Sequence, residues 1–292
     1  MTSAPYLRRG ESAFVFELDA LFALTPAMAG AVCAGGWHAY GLLFLSAGIC
    51  LLFDFLAARL QRRALPDYGV SALTTGAALV LLLPVRAPYW AVPLGAAAAM
   101  AAKTLPGGLG KNRLNPAALG CLPALLLLPA VRFAPGLPWG QTDGWAGDFS
   151  GVFLLLGTAY LAARGFRRWI LTGSYLAACL AVQIAFGLGP ASLGGGLLPA
   201  ACCLLADPVT TPMTPLGQLL AGLACGALAG AARGLGQPYP GAVLSVLAVN
   251  LLRSVPDRAA LCLAPVGGRL KAGPAGEKGK CRGRSCYSQI TK

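Results

Sequence analysis

Ten apolar runs, parted by short polar joints, leave this 292-residue chain little choice of fold. They lie at about 12–34, 40–58, 70–84, 88–104, 114–132, 149–164, 168–187, 192–206, 215–233 and 239–254. A hydrocarbon core about 30 Å thick takes roughly 20 apolar residues of helix. Backbone groups inside it must find partners within the protein, so runs of this kind read as membrane-spanning helices. Composition agrees: 57% of residues are hydrophobic, only 11% are charged, and the mean hydropathy is +0.67. Soluble domains carry about 25% charged residues. The sequence therefore predicts an all-α polytopic membrane protein of about ten transmembrane helices.

Charge placement tests the count. With the N-terminus inside, ten spans put 20 of the 23 lysines and arginines on the cytoplasmic side, leaving Arg86, Arg132 and Arg233 outside. Short cytoplasmic loops carry such an excess, so both termini are expected in the cytoplasm. The formal charge of +13 does not indicate nucleic acid, because the basic residues form short clusters between apolar runs and no basic folded surface. The first run follows Arg8 and Arg9 as a signal peptide would. It is longer than a signal h-region of about 7–15 residues and contains Glu17 and Asp19, so it reads as a retained helix. The expected organisation is a cytoplasmic segment 1–11, a membrane domain 12–254, and a basic, disordered cytoplasmic tail 255–292. The tail's Lys and Arg would be drawn to anionic inner-leaflet lipids.

Most of the ten cysteines lie inside apolar runs, where they act as small hydrophobes. His38, the only histidine, falls in an outer turn and reads as solvated. No Ser/His/Asp set, metal cluster or catalytic carboxylate pair can be assembled, so self-contained catalysis is not expected.

The halves echo each other. Gly108-Leu109-Gly110-Lys111 precedes Pro116-Ala117, and Gly234-Leu235-Gly236-Gln237 precedes Pro240-Gly241-Ala242. Ser71-Ala72-Leu73-Thr74-Thr75-Gly76 opens the third span as Ser192-Leu193-Gly194-Gly195-Gly196 opens the eighth. Repeats of five spans, about 12–132 and 149–254, must lie in opposite orientations. Inverted repeats place their sites at the repeat interface near the midplane.

Two polar breaks stand out against this background. The first, GGLGKNRLNP (107–116), reads as a turn, with Gly107, Gly108 and Gly110 free to take positive φ and Pro116 starting a helix. It also reads as a site, with the amides of Asn112 and Asn115 beside a helix N-terminus that favours anions. The second runs Asp207-Pro208-Val209-Thr210-Thr211-Pro212-Met213-Thr214. One reading makes Asp207 or Thr214 the cap of the next helix. The other gives a hydrated cation an acid beside three hydroxyls. Asp54 is a further candidate, since intramembrane carboxylates are functional by default, and a pairing with Arg59 is its structural alternative. Charge placement puts both breaks toward the cytoplasmic face.

The run SALTTGAALVLLLPVRAPYWAVPLGAAAAMAAKTLPGGLGKNRLNPAALG (71–120) resembles the NqrB/RnfD family. That family holds the D subunit of Rnf electron-transport complexes and the B subunit of the sodium-pumping NADH:quinone reductase. Pro5-Tyr6, Arg168-Trp169, LADPVTTPMTPLGQLLAGLACG (205–226), Tyr239-Pro240 and Asn250 follow the family in order. The length favours the Rnf subunit. The resemblance implies a ten-helix inverted-repeat subunit of the bacterial cytoplasmic membrane. Its partners would be the other membrane and cytoplasmic subunits of a complex that couples ferredoxin/NAD electron transfer to sodium or proton transport.

Most members also bear FMN on a threonine, in an S-x-A-T-type motif of the outer loop after the fifth span. Here that loop is FAPGLPWGQTDGWAGD (133–148); the motif is missing, and Thr142 is its one threonine. The expectation is therefore a flavin held non-covalently or no flavin on this subunit. A stand-alone channel or transporter of the same architecture, or a non-redox scaffold subunit, are the competing readings.

Overall fold

The computed structural model describes residues 13–61, 69–106, 112–127, 146–165, 169–188, 194, 196–205, 207, 209–252 and 255–257. Among these every regular element is a helix. The elements are α1 (Ala13–Leu60), α2 (Gly69–Leu81), α3 (Ala91–Thr104), α4 (Pro116–Gly120) and α5 (Leu122–Leu127). A 3₁₀ turn (Asp148–Ser150) then leads into α6 (Gly151–Ala163), followed by α7 (Trp169–Ala185) and α8 (Leu197–Pro199). A π-helical turn (Ala200–Leu204) continues α8, and α9 (Pro215–Gly234) and α10 (Pro238–Leu251) complete the fold.

Two stretches are long and apolar enough to cross a membrane, Phe14–Leu60 and Pro215–Gly234, and five shorter apolar helices accompany them. α1 is one helix only nominally. Its 48 residues would extend about 72 Å at 1.5 Å per residue, more than twice a bilayer core. Gly36, at φ 58° and ψ −144°, breaks it. Glu17 in the first arm is bonded to Ser71, and Ser46 in the second arm donates to Gly76 O at 3.0 Å. The bend itself lies against the far end of α2, with Gly35 packed on Val85. α1 is thus a hairpin clasping α2, in accord with two separate apolar runs. The expected outer turn is shorter than its sequence suggests. His38 is half-buried in the helix beyond the bend, with Nε2 2.8 Å from Ala87 O and its ring 4.6 Å from Tyr89. The solvated reading of His38 is corrected accordingly.

α2 is buried all round from Thr75 to Leu81, as expected of a central helix that is apolar on every face. On the other side of the molecule α9 packs on α7 through glycines at every fourth position, Gly222, Gly226, Gly230 and Gly234. A Cβ at Gly222 would meet Leu171 O at 2.7 Å, and one at Gly230 would meet Cys179 O at 2.9 Å. Small residues at this spacing let helix backbones touch, the packing mode that works in lipid. Large apolar side chains point outward, among them Phe44, Leu56, Leu126, Leu156, Ile184 and Leu228. An exposed apolar surface of this extent marks contact with lipid or partner helices.

The two sequence halves are tied together by polar contacts. Arg164 Nε donates to Asp19 Oδ2 at 3.0 Å, and Tyr160 Oη donates to Asp19 Oδ1 at 2.9 Å. Ser150 Oγ donates to Ala27 O at 2.7 Å. The start of the tail also departs from expectation. Residues 255–257 form a helical turn, and the Asp257 carboxylate accepts from Met213 N (3.1 Å), Thr214 N (3.0 Å) and Thr214 Oγ1 (2.6 Å). That carboxylate satisfies backbone donors the 212–214 turn would otherwise leave open.

Candidate functional site at the two helix breaks

Each break is built by a proline that starts a helix and a side chain that caps it. Asn115 precedes Pro116 with extended geometry (φ −65°, ψ 122°), and its Oδ1 accepts from Ala118 N at 3.1 Å. Thr214 precedes Pro215, and its Oγ1 accepts from Gly217 N at 3.1 Å. Proline fits the first helical position because its missing N–H would be an orphan there.

Before the second break the chain turns at Gly196 (φ 80°) and ends in the π turn, where Leu205 N donates to Ala200 O at 3.2 Å. Such irregular backbone survives in apolar surroundings only where side chains re-satisfy it. Asn115 Nδ2 does so for Leu204 O at 2.9 Å, and Thr172 Oγ1 for Ala201 O at 3.3 Å. Asn115 therefore stitches the first break to the second. Its amide serves as cap and stitch.

Asp207 is not the cap of α9; that role belongs to Thr214. Asp207 instead closes a tight turn. Val209 N donates to its Oδ1 at 2.9 Å, Thr210 Oγ1 to its Oδ2 at 3.1 Å, and Thr211 Oγ1 to its carbonyl at 2.6 Å. Of the three hydroxyls, two brace Asp207 and the third belongs to α9. The break lies between the apolar segments, and burial there pushes the Asp207 carboxyl above the ordinary aspartate range. The Val209 N–H pulls it back, and the nearby Glu17 charge pushes it further up.

A cavity opens where the breaks meet, with about 100 Å³ available to the centres of water-sized spheres. One water needs about 10–15 Å³ on that measure, so the cavity holds several. From the first half it is lined by Glu17, Thr75, Lys103 and Asn112, and from the second by Thr158 and Asp207. Lys103, in the last turn of α3, is 7% exposed. Its Nζ donates to Ser71 O at 2.8 Å, to Thr75 Oγ1 at 3.2 Å and to Ser71 Oγ. Ser71 Oγ in turn donates to Glu17 Oε1 at 2.6 Å.

Asn112, Asn115 and Asp207 thus share one cavity. Asp54 does not line it, though its charge acts on Lys103, and Arg59 lies over the Phe55 ring at 5.0 Å. Gly107, Gly108, Gly110 and Thr142 lie outside the described residues. Glu17 and Lys103 were missed as site residues. Lys103 counts in the sequence only toward the cytoplasmic excess of basic residues, at the end of the 88–104 run, and the structure places it in the last turn of α3. The available signal was charge within an apolar run, which is a functional pointer by default.

The family's flavin can be tested only at the end of the outer loop that is described. There Ala146 N donates to Leu83 O at 3.0 Å and Gly147 N to Leu81 O at 2.8 Å. A Cβ on Gly147 would sit 2.6 Å from Leu81 O. The Asp148 carboxylate accepts from Gly196 N at 2.9 and 3.1 Å. This end is bolted to the core; the rest of the loop, Thr142 included, lies outside the described residues.

The D subunit of the Na(+)-translocating ferredoxin:NAD(+) oxidoreductase complex of Acetobacterium woodii is 25% identical over 293 residues, covering 88% of this chain and 92% of its own. The D subunit of the proton-translocating ferredoxin:NAD(+) oxidoreductase complex of Clostridium ljungdahlii is 26% identical over 309 residues, with 88% and 93% covered. The D subunit of the ion-translocating oxidoreductase complex of Escherichia coli is 34% identical over a shorter 141 residues, 47% of this chain and 40% of its own. The sequence model of the NQR2, RnfD, RnfE family matches residues 1–133 and 131–260, and the chain belongs to that family.

Proposed function

We propose that this chain is the D-type membrane subunit of an Rnf-like complex that couples ferredoxin/NAD electron transfer to sodium or proton transport, and that the cavity between its breaks is a step on the ion path. The observation that carries this reading is the meeting of Glu17, Lys103 and Asp207, drawn from both halves of the chain, around a cavity with room for several waters beside broken helices. Half-helix ends and unwound carbonyls at such a place are where transporters hold ions.

The arrangement supports inverted repeats. α3 and α9 each end on a buried cation, Lys103 and Arg233, and each is followed by a helix that starts at a proline, α4 and α10. Ten spans with both termini in the cytoplasm of a bacterial inner membrane fit this reading, with the basic tail against anionic lipid. The test is Asp207→Ala in the assembled complex. Ion-coupled turnover falls by about tenfold or more while subunit levels are kept; normal coupling would reduce Asp207 to the keystone of a turn. Co-purification of further subunits with this chain separates the complex from a solitary channel.

A further inference from the structure

A cation path does not by itself call for a buried lysine, yet Lys103 points into this one. Three features of its surroundings are informative. Its ammonium is held by neutral oxygens, Ser71 O, Ser71 Oγ and Thr75 Oγ1, a set of the kind that suits a hard cation. One hydroxyl, Ser71 Oγ, stands between it and the Glu17 carboxylate. The acids whose charges act on it are Glu17 first, then Asp207, then Asp54. With Glu17 and Asp207 ionised, the cavity wall carries two negative charges and one positive, so a single further monovalent cation would balance it.

We propose that Lys103 is a tethered counter-cation: its ammonium stands in for the transported monovalent cation between Glu17 and Asp207, and the ion enters by displacing it. Two half-buried carboxylates facing one cavity without a counter-charge are costly, so the wall is compensated either by lysine or by the ion. The four-carbon stem lets the ammonium move aside, and its return helps expel the ion. Lys103 is thus a positioning residue for the ion, and the idea rests on the ion-path reading above.

The experiment uses the assembled complex in inverted membrane vesicles. Ferredoxin-to-NAD electron transfer is measured against sodium chloride at constant ionic strength, and against pH in sodium-free buffer. Lys103→Met removes the competitor, so the half-saturating cation concentration falls by about tenfold or more and the maximal rate falls with it because release slows. Lys103→Arg keeps the cation dependence within about threefold. Thr75→Val removes one of the oxygens that hold the ammonium, eases its displacement and shifts half-saturation the same way, downward.

A shift in the sodium arm or in the pH arm identifies the ion, and either supports the proposal. An unchanged half-saturation in Lys103→Met, with only rate or subunit level reduced, overturns it and makes Lys103 a brace. Should that variant fail to assemble, unchanged cation dependence in Thr75→Val overturns it instead. Asp207→Ala separates the two ideas. If it retains cation stimulation, the ion-path reading falls and Lys103 with it; if it loses stimulation while Lys103→Met shifts nothing, only the lysine's role falls.

Discussion

Thr214 and Asp207, seven residues apart, are both plausible helix caps, and the structure divides the work between them. Thr214 accepts from Gly217 N while donating to Asp257; Asp207 holds a turn and lines the cavity. Thr214→Ala should therefore lower stability by about 1 kcal/mol, the usual worth of an N-cap, and Thr214→Ser should lower it little. Thermal unfolding of the detergent-solubilised protein reads both. Asp207 makes a pH prediction of the opposite kind from a salt-bridged aspartate. Its folded carboxyl binds a proton more tightly than the unfolded one, so stability is lost as pH climbs from the ordinary aspartate value through the raised one. Asp207→Asn should flatten that slope in melting temperature against pH. Asp207, Asn112 and Asn115 were legible in the sequence because prolines and glycines interrupt apolar runs there. Glu17 and Lys103 were not, since each lies within a helix and not in such a break. What joins them is Ser71, 54 residues from Glu17 and 32 from Lys103, a relation only the folded chain makes.

At the scale of elements, apolar length was the reliable signal and backbone irregularity the hidden one. The two runs at 12–34 and 40–58 appear as the arms of α1, but nothing in Gly35-Gly36 says that a single glycine at φ 58° makes the reversal. The π turn at Ala200–Leu204 is likewise silent in the sequence, because its cause is the donors Asn115 and Thr172 on other helices. The glycine stripe of α9 is visible as a four-residue period; which helix it meets is not. The structure assigns α7, and the consequence is sharp at Gly226, where an added Cβ would run into Tyr175 O and meet Ala178 Cβ at 2.9 Å. Gly226→Leu should separate α7 from α9 and abolish accumulation of folded protein in the membrane. Gly173→Ala, on the exposed side of α7 with nothing within 4 Å, should be tolerated and add up to about 1 kcal/mol of helix stability. Detergent-resistant, monodisperse protein on size exclusion distinguishes the two.

For the whole molecule, the ties between halves and the arrangement of ends make topology testable. Asp19 is clamped by Arg164 and Tyr160, and Gly157 lies against the Ala23 carbonyl, so the first arm of α1 belongs as much to the second half of the chain as to the first. That clamp joins residues 141 and 145 positions apart, which is why pairing of the halves was not legible from hydropathy. The ends of the helices are easier to assign. Trp37, 87% exposed at the α1 bend, and Leu105, 83% exposed beyond α3, fall at opposite ends, since Gln61 at the far end of α1 donates to Thr104 O at 3.2 Å. With the N-terminus inside, the bend faces outward and Leu105 faces the cytoplasm, as the excess of basic residues there requires. Trp37→Cys should therefore react with a membrane-impermeant maleimide in intact cells, and Leu105→Cys only in inside-out vesicles, each read as labelling above the parent protein. Cys50, Cys121, Cys179, Cys202 and Cys225 are buried, but Cys33 is exposed near the bend, so both variants are made in a Cys33→Ala background. Labelling of both positions from one side would break the hairpin reading of α1; labelling of each from the wrong side would invert the protein and place the Lys103 cavity at the outer face, where the ion would be released instead of captured.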